Sequence, residues 1–148
     1  MDYTLNSDEM QVWVKFLRAH AMLMREMEAN LQAETGMSLV WMDVLVQLSL
    51  EDGQRMTHTR LSQRRLISQG GLTRLVDRMA KAGLVKRQRS RTDRRTSYVV
   101  LTEKGSEALK AMYPIQYQNI AQMFINHLNA DSAPVVSEFL AKVLGEND

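Results

Sequence analysis

The chain has 148 residues, 45% hydrophobic and 24% charged, enough for one folded unit with its own core and unlike a disordered segment. It contains no cysteine, which excludes disulfides, thiolate metal sites and thiol redox sensing. The formal net charge is only +2, but residues 55–95 hold 13 cations against Asp77 and Asp93, so that segment is +11 and the remainder −9. A single basic segment in a near-neutral chain is the footprint of a polyanion partner or, more blandly, a solvated basic surface. The opening MDYTLNSDEM has neither the basic flank nor the apolar stretch of an export signal. Nor does any apolar run approach the roughly 20 residues that span a membrane, so the expected location is cytoplasmic.

Residues 8–33 read as one long helix, with Ser7 as N-cap and Asp8 and Glu9 in the first turn. Met10, Trp13, Leu17, His20, Met24, Met27 and Leu31 form one stripe, and Val12, Phe16, Ala19 and Leu23 a second beside it. Two adjacent apolar stripes need more than one surface to cover them, which suggests a partner chain. Ser38 opens a second helix over 38–50, apolar almost all round and therefore internal. Asp52-Gly53 marks a turn.

In the basic segment, Thr57 caps a short helix over 58–66, Leu66-Ile67-Ser68 forms a turn, and Ser68 caps a helix over 69–82. Leu72, Leu75, Val76 and Met79 give that helix a core face, and Gly83 follows where a left-handed cap is wanted. Two short helices joined by a tight turn make a helix-turn-helix. Segments 84–90 and 96–101 read as strands joined through Arg91-Thr92-Asp93-Arg94-Arg95, a hairpin with a cationic tip. Thr102 caps a helix from 103, with a kink or break expected near 112–114 at Pro114 and a continuation to about 128. A last helix starts at Asp131 or Ala133, presents Val136, Phe139, Leu140, Val143 and Leu144 on one face, and ends at Gly145. The fold class that follows is mainly α with a small β-hairpin wing. The division is a helical dimerisation region, 1–50 and 103–148, around a winged helix-turn-helix lobe, 51–102, in one continuous fold.

An enzyme is disfavoured: His20, His58 and His127 have no metal-ligand spacing, and Gly70-Gly71 is no nucleotide-binding loop. The stretch Leu61–Thr102, LSQRRLISQGGLTRLVDRMAKAGLVKRQRSRTDRRTSYVVLT, resembles the MarR family of transcription regulators. The T-R-L-V-D-R helix, the following G-L-V-x-R, and a wing carrying Asp93 and Arg95 ahead of Leu101-Thr102 carry the resemblance. Arg65 stands where an apolar residue is usual and Leu66 where glycine is common, so Arg65 is expected to reach outward to phosphate or to sit in a tighter turn.

The resemblance implies a homodimer, with residues 8–33 and 103–145 interleaving between two copies on a palindromic operator in double-stranded DNA. Recognition-helix contacts are expected from Ser68, Gln69, Gly70, Thr73, Arg74 and Arg78, with Arg74 suited either to a guanine edge or to phosphate. Arg89, Arg91 and Arg94 of the wing suit the minor groove, and Arg60, Arg64 and Arg65 the backbone. The resemblance further implies that Asp93 and Arg95 brace the wing through ion pairs. It implies repression rather than activation, no cofactor, and release by a small aromatic or phenolic effector. Trp13, Phe16, His20, Trp41, Leu45, Met112 and Tyr113 are the candidate lining, with plain core packing as their other reading. The remaining functional alternatives are an architectural DNA binder without sequence preference and a winged-helix module for protein contacts.

Overall fold

The computed structural model describes residues 7–66 and 71–146. Along the chain run α1 (Asp8–Thr35), α2 (Leu39–Ser49), a 3-10 turn (Asp52–Gln54), β1 (Arg55–Thr57), α3 (His58–Arg64), α4 (Leu72–Lys81), β2 (Val85–Arg89), β3 (Ser97–Leu101), α5 (Glu103–Met123), a second 3-10 turn (Ile125–His127) and α6 (Ser132–Leu144). The fold is mainly helical with a small antiparallel sheet ordered β1-β3-β2.

Local chemistry sets most of the boundaries. The hydroxyls of Ser7, Ser38, Thr57 and Thr102 accept the backbone N–H groups of Met10, Trp41, Arg60 and Gly105 at 3.0–3.2 Å, satisfying donors that the first helical turn leaves open. Gly36 and Gly145 close α1 and α6 in the left-handed conformation, at φ 70° and 74°. Thr102 does more than cap α5. Its hydroxyl donates to the Gly83 carbonyl at 2.6 Å and its N–H to the Leu84 carbonyl at 3.1 Å, tying the end of α4, the sheet and the start of α5 into one knot. Gly105 packs so tightly there that a Cβ would overlap the Leu84 carbonyl oxygen.

The core is built around α2, whose Val44, Leu45 and Leu48 are fully buried and which packs against α1, α3, α5, β1 and β3. The expected inward face of α4 (Leu72, Leu75, Val76 and Met79) is buried there too, beside Met56, Leu61, Val85 and Val99. Buried polar groups are few. Asn30 Nδ2 donates to Asn119 Oδ1 at 3.1 Å between α1 and α5, and Asp43 and Gln47 are hydrogen-bonded to each other on α2.

Four expectations need correction. The sheet has a third strand: β1, only three residues long, pairs Met56 with Val99 of β3 and buries Met56, a signal too short to show as an alternation. Helix α4 begins at Leu72 rather than 69, because Gly71 is extended (φ −71°, ψ 131°) and its carbonyl accepts the first helical bond from Leu75 at 3.2 Å. Pro114 does not break α5, which runs through it to Met123. Pro114 removes the hydrogen bond to the carbonyl of Lys110, and both residues are exposed, where water can satisfy that carbonyl. The helix stops at Met123 instead of 128, with Phe124 non-helical (φ −131°, ψ −59°) ahead of the 3-10 turn. The expected turn residues Ile67 and Ser68 lie outside the described residues.

Among the described residues, one side of the molecule is left uncovered. Of the long α1 stripe only Met27 and Leu31 are buried, while Val12, Trp13, Phe16 and Leu17 in its first half stay exposed. Helix α6 buries none of its residues: Phe139 is 50%, Val143 68% and Leu144 70% exposed.

Candidate nucleic-acid interface

The core face of α4 fixes what its other face presents. With Leu72, Leu75, Val76 and Met79 turned inward, two rows four residues apart remain outside: Thr73, Asp77 and Lys81, and beside them Arg74 and Arg78. All five are exposed. The side chains of Arg74 and Arg78 make no hydrogen bond or ion pair with the described residues, so their guanidinium groups are available to an external acceptor. Ser68, Gln69 and Gly70, expected at the tip of this helix, lie outside the described residues.

The wing leaves the sheet between β2 and β3. Ser90 N donates to the Thr96 carbonyl at 2.9 Å, and the Ser90 hydroxyl accepts from the N–H groups of Thr92 and Asp93, both at 3.2 Å. Asp93 then closes the turn: its carboxylate accepts the Arg95 N–H at 2.9 Å and the Thr96 hydroxyl at 3.1 Å. This corrects the role given to the Asp93–Arg95 pair. Asp93 engages the backbone of Arg95, not its guanidinium, and no ion pair joins the two among the described residues. A carboxylate held by a backbone donor two residues on is an Asx-type turn, which shapes the loop without using up an arginine charge. Arg89, Arg91, Arg94 and Arg95 are left exposed around the tip.

The α3 cations divide. Arg64 is exposed, whereas Arg60 is paired with Glu51 at 2.8 Å. Arg65 leaves the helix at φ −59°, ψ 134°, and its Nε and Nη1 atoms are buried with no hydrogen-bond partner among the described residues. The outward reach toward phosphate is therefore not its posture here. Two residues absent from the sequence-derived set join the site: Arg87 of β2 bonds to Asp77 at 2.9 Å and to the Thr73 carbonyl at 3.3 Å, and His58 Nε2 lies 3.4 Å from the Thr73 hydroxyl. Arg87 and Asp77 are on different elements, and only the fold brings them together.

The seven candidate effector residues do not surround one cavity. Leu45 and Met112 are fully buried core, Tyr113 is exposed, and Trp41 is half-buried near α4 and α5. Trp13 and Phe16 stack at 6.0 Å and line a crevice of about 270 Å³ against Phe139 and Val143 of α6. Of the seven, only His20 reaches a groove of about 760 Å³ walled by α1 (Met24, Glu28), α2 (Leu39, Asp43, Val46), α5 (Gln116, Ile120) and Leu66 just after α3.

The comparisons with known proteins agree with this geometry. A family model described as MarR family matches residues 35–96. An uncharacterized HTH-type transcriptional regulator of Bacillus cereus is 31% identical over 101 residues, 68% of this chain and 65% of the relative. The HTH-type transcriptional regulator PapX of Escherichia coli is 30% identical over 101 residues, 68% of this chain and 61% of PapX. Alignment with these curated relatives thus spans slightly under two thirds of their length. A MarR family transcriptional regulator from Streptomyces coelicolor, solved in complex with DNA, superposes with a TM-score of 0.88 at 26% identity, over 97% of this chain and 90% of that one.

The chain matches the MarR family model over residues 35–96 and shares the fold of a solved MarR family regulator along 97% of its length. A second member from Streptomyces coelicolor, AbsC, has a TM-score of 0.86 at 28% identity over 95% of both chains. The MarR likeness is therefore not confined to the helix-turn-helix but includes α1, α5 and α6. In MarR terms α4 is the recognition helix and the β2–β3 hairpin the wing.

Proposed function

We propose that this protein is a dimeric, sequence-specific DNA-binding transcription regulator that represses its targets in the cytoplasm and is released by a small aromatic ligand. The observation that carries the DNA-binding part is the exposed set Arg74 and Arg78 on α4 with Arg89, Arg91 and Arg94 on the wing, none of them in an ion pair among the described residues. Two cationic elements project from one rigid lobe, one of them a helix with base-reading side chains and the other a hairpin tip suited to a narrow groove. The only acids in residues 55–95, Asp77 and Asp93, leave that segment at +11, and both are engaged in internal hydrogen bonds. Thr73, Arg74 and Arg78 would read or position the major groove, the wing arginines the minor groove, and Arg64 the backbone. Ser68, Gln69 and Gly70, just before this helix in sequence, complete the proposed set of contacts.

The bare faces of α1 and α6 support a second copy as partner. Val12, Trp13, Phe16, Phe139 and Val143 make a contiguous apolar surface at the ends of the chain, on the elements that flank the DNA lobe. In this arrangement residues 1–50 and 103–148 form the dimer region and 51–102 the DNA lobe, with α2 shared between them. The groove under Leu66 supports the ligand reading: it is mostly apolar, has the volume of a small-molecule site, and lies between the dimer helices and the start of the helix-turn-helix.

Titration of DNA from upstream of the protein's own gene against an unrelated fragment, over a salt series, tests the reading. Tighter binding to the upstream fragment with a steep salt slope is the expected result. Equal binding to both would favour an architectural role, and no binding at low salt would favour a protein-interaction module.

A further inference from the structure

Arg87 has no evident reason to point inward. On β2 it lies opposite Val99 of β3, and Val85, two residues before it, lies opposite Leu101. Residues two apart on a strand, and residues directly opposite on its neighbour, share a face. Val85, Val99 and Leu101 are buried, so Arg87 continues the inner face at the point where the apolar core ends. From there its Nη2 reaches two acceptors one turn apart on α4, the Asp77 carboxylate at 2.9 Å and the Thr73 carbonyl at 3.3 Å. Thr73 is met from its other side by His58 of α3. The side chains of Arg87 and Asp77 are 37% and 55% exposed, so the pair adds little to stability, and its consequence is geometric.

Asp77 is otherwise out of place. The other charged residues of α4 are Arg74, Arg78 and Lys81, and a lone carboxylate among them would repel phosphate. We propose that Asp77 recruits Arg87 as a brace between the wing and the recognition helix, making Arg87 a positioning residue for sequence recognition rather than a phosphate contact. This rests on the DNA-binding reading above. A hairpin hinged only at the sheet would let the wing tip swing relative to α4. The brace sets the spacing at which the two elements enter their grooves.

The decisive feature is the sign of the effect. Asp77→Asn removes a negative charge from a DNA-facing helix, which by charge alone strengthens binding to any duplex. Asp77→Asn and Arg87→Gln are made in the full chain and titrated, over a salt series, with a duplex recovered by selection from a random pool and with its scrambled counterpart. The brace predicts that each variant loses about tenfold for the selected duplex, comparable to one poorly read base pair. It also predicts unchanged or tighter binding to the scrambled duplex, an unchanged salt slope for Arg87→Gln, and a double variant no weaker than the weaker single one. Tighter binding of the selected duplex by Asp77→Asn overturns it. So does an equal loss on both duplexes by Arg87→Gln with the slope reduced by about one, the mark of a phosphate contact.

If the unsubstituted protein shows no DNA binding, or no preference between the duplexes, the functional reading fails and the brace is judged separately. The absence of cysteine allows Lys81→Cys and Thr92→Cys to be spin-labelled without background. A broadened electron–electron distance distribution on adding Asp77→Asn supports the brace, and an unchanged one overturns it.

Discussion

The two sides of this molecule are finished to different degrees. Around α2 and α4 the apolar residues are closed over: Leu45, Leu48, Val76, Met79 and Met112 are all fully buried. Val12, Trp13, Phe16 and Leu17 of α1 and Val135, Phe139, Val143 and Leu144 of α6, side chains of the same kind, stay exposed. Both regions carry apolar stripes, and the difference in burial follows what packs against those stripes. Strands and α5 cover the region around α2 and α4, whereas among the described residues nothing equivalent covers the outer faces of α6 and of the first half of α1. The lesson is that apolar patterning states a demand for burial and does not say which chain supplies it.

The largest effects are expected where cover is complete. Leu45→Ala should cost about 2–5 kcal/mol in denaturant unfolding. A loss below about 1 kcal/mol would return Leu45 to the effector pocket, since a residue lining a cavity leaves little new void when truncated. Next comes Gly105→Ala, expected to cost about 3 kcal/mol because the Leu84 carbonyl opposite is backbone and cannot step aside. A neutral result there would mean that the junction between wing and α5 is looser than its hydrogen bonds indicate.

The uncovered side is tested by Phe139→Glu. The dimer dissociation constant in sedimentation velocity should rise on the order of a hundredfold with helical circular dichroism unchanged, as for an interface anchor. Lost helicity would instead place Phe139 in the fold of the single chain. Arg94→Ala should leave both regions folded and the dimer intact. It should weaken DNA binding by about tenfold at physiological salt and lower the salt slope by about one. Unchanged affinity would remove the wing tip from the interface. Smallest is Glu138→Gln, which breaks an i,i+4 pair with Lys142 whose side chains are 69% and 66% exposed; the melting free energy should move by less than about 0.5 kcal/mol.

Much of this architecture is legible along the chain because it depends on neighbours in sequence. Caps at Ser7, Ser38, Thr57 and Thr102 act within three residues, and Leu72, Leu75, Val76 and Met79 repeat at the helical period. The cationic wing is legible as composition, since arginines close together in sequence need no folding to be counted together. The ligand site is the opposite case. Trp13, Phe16 and Trp41 have the residue types of a pocket, but a pocket is a space between elements, and Trp41 faces a different one from Trp13 and Phe16.

By itself, then, the sequence determined the helical periods, the caps, the inward face of α4 and the concentration of charge, all of them set by interactions over a few residues. The tertiary structure decided the rest. It added β1 to the sheet through pairing with the distant β3, and carried α5 through Pro114 by leaving Lys110 in reach of water. It set Arg87 against Asp77. Pairings between distant residues, solvent access at one carbonyl and the aim of a side chain all depend on the relative placement of whole elements. That placement comes from packing around α2, which no local pattern encodes.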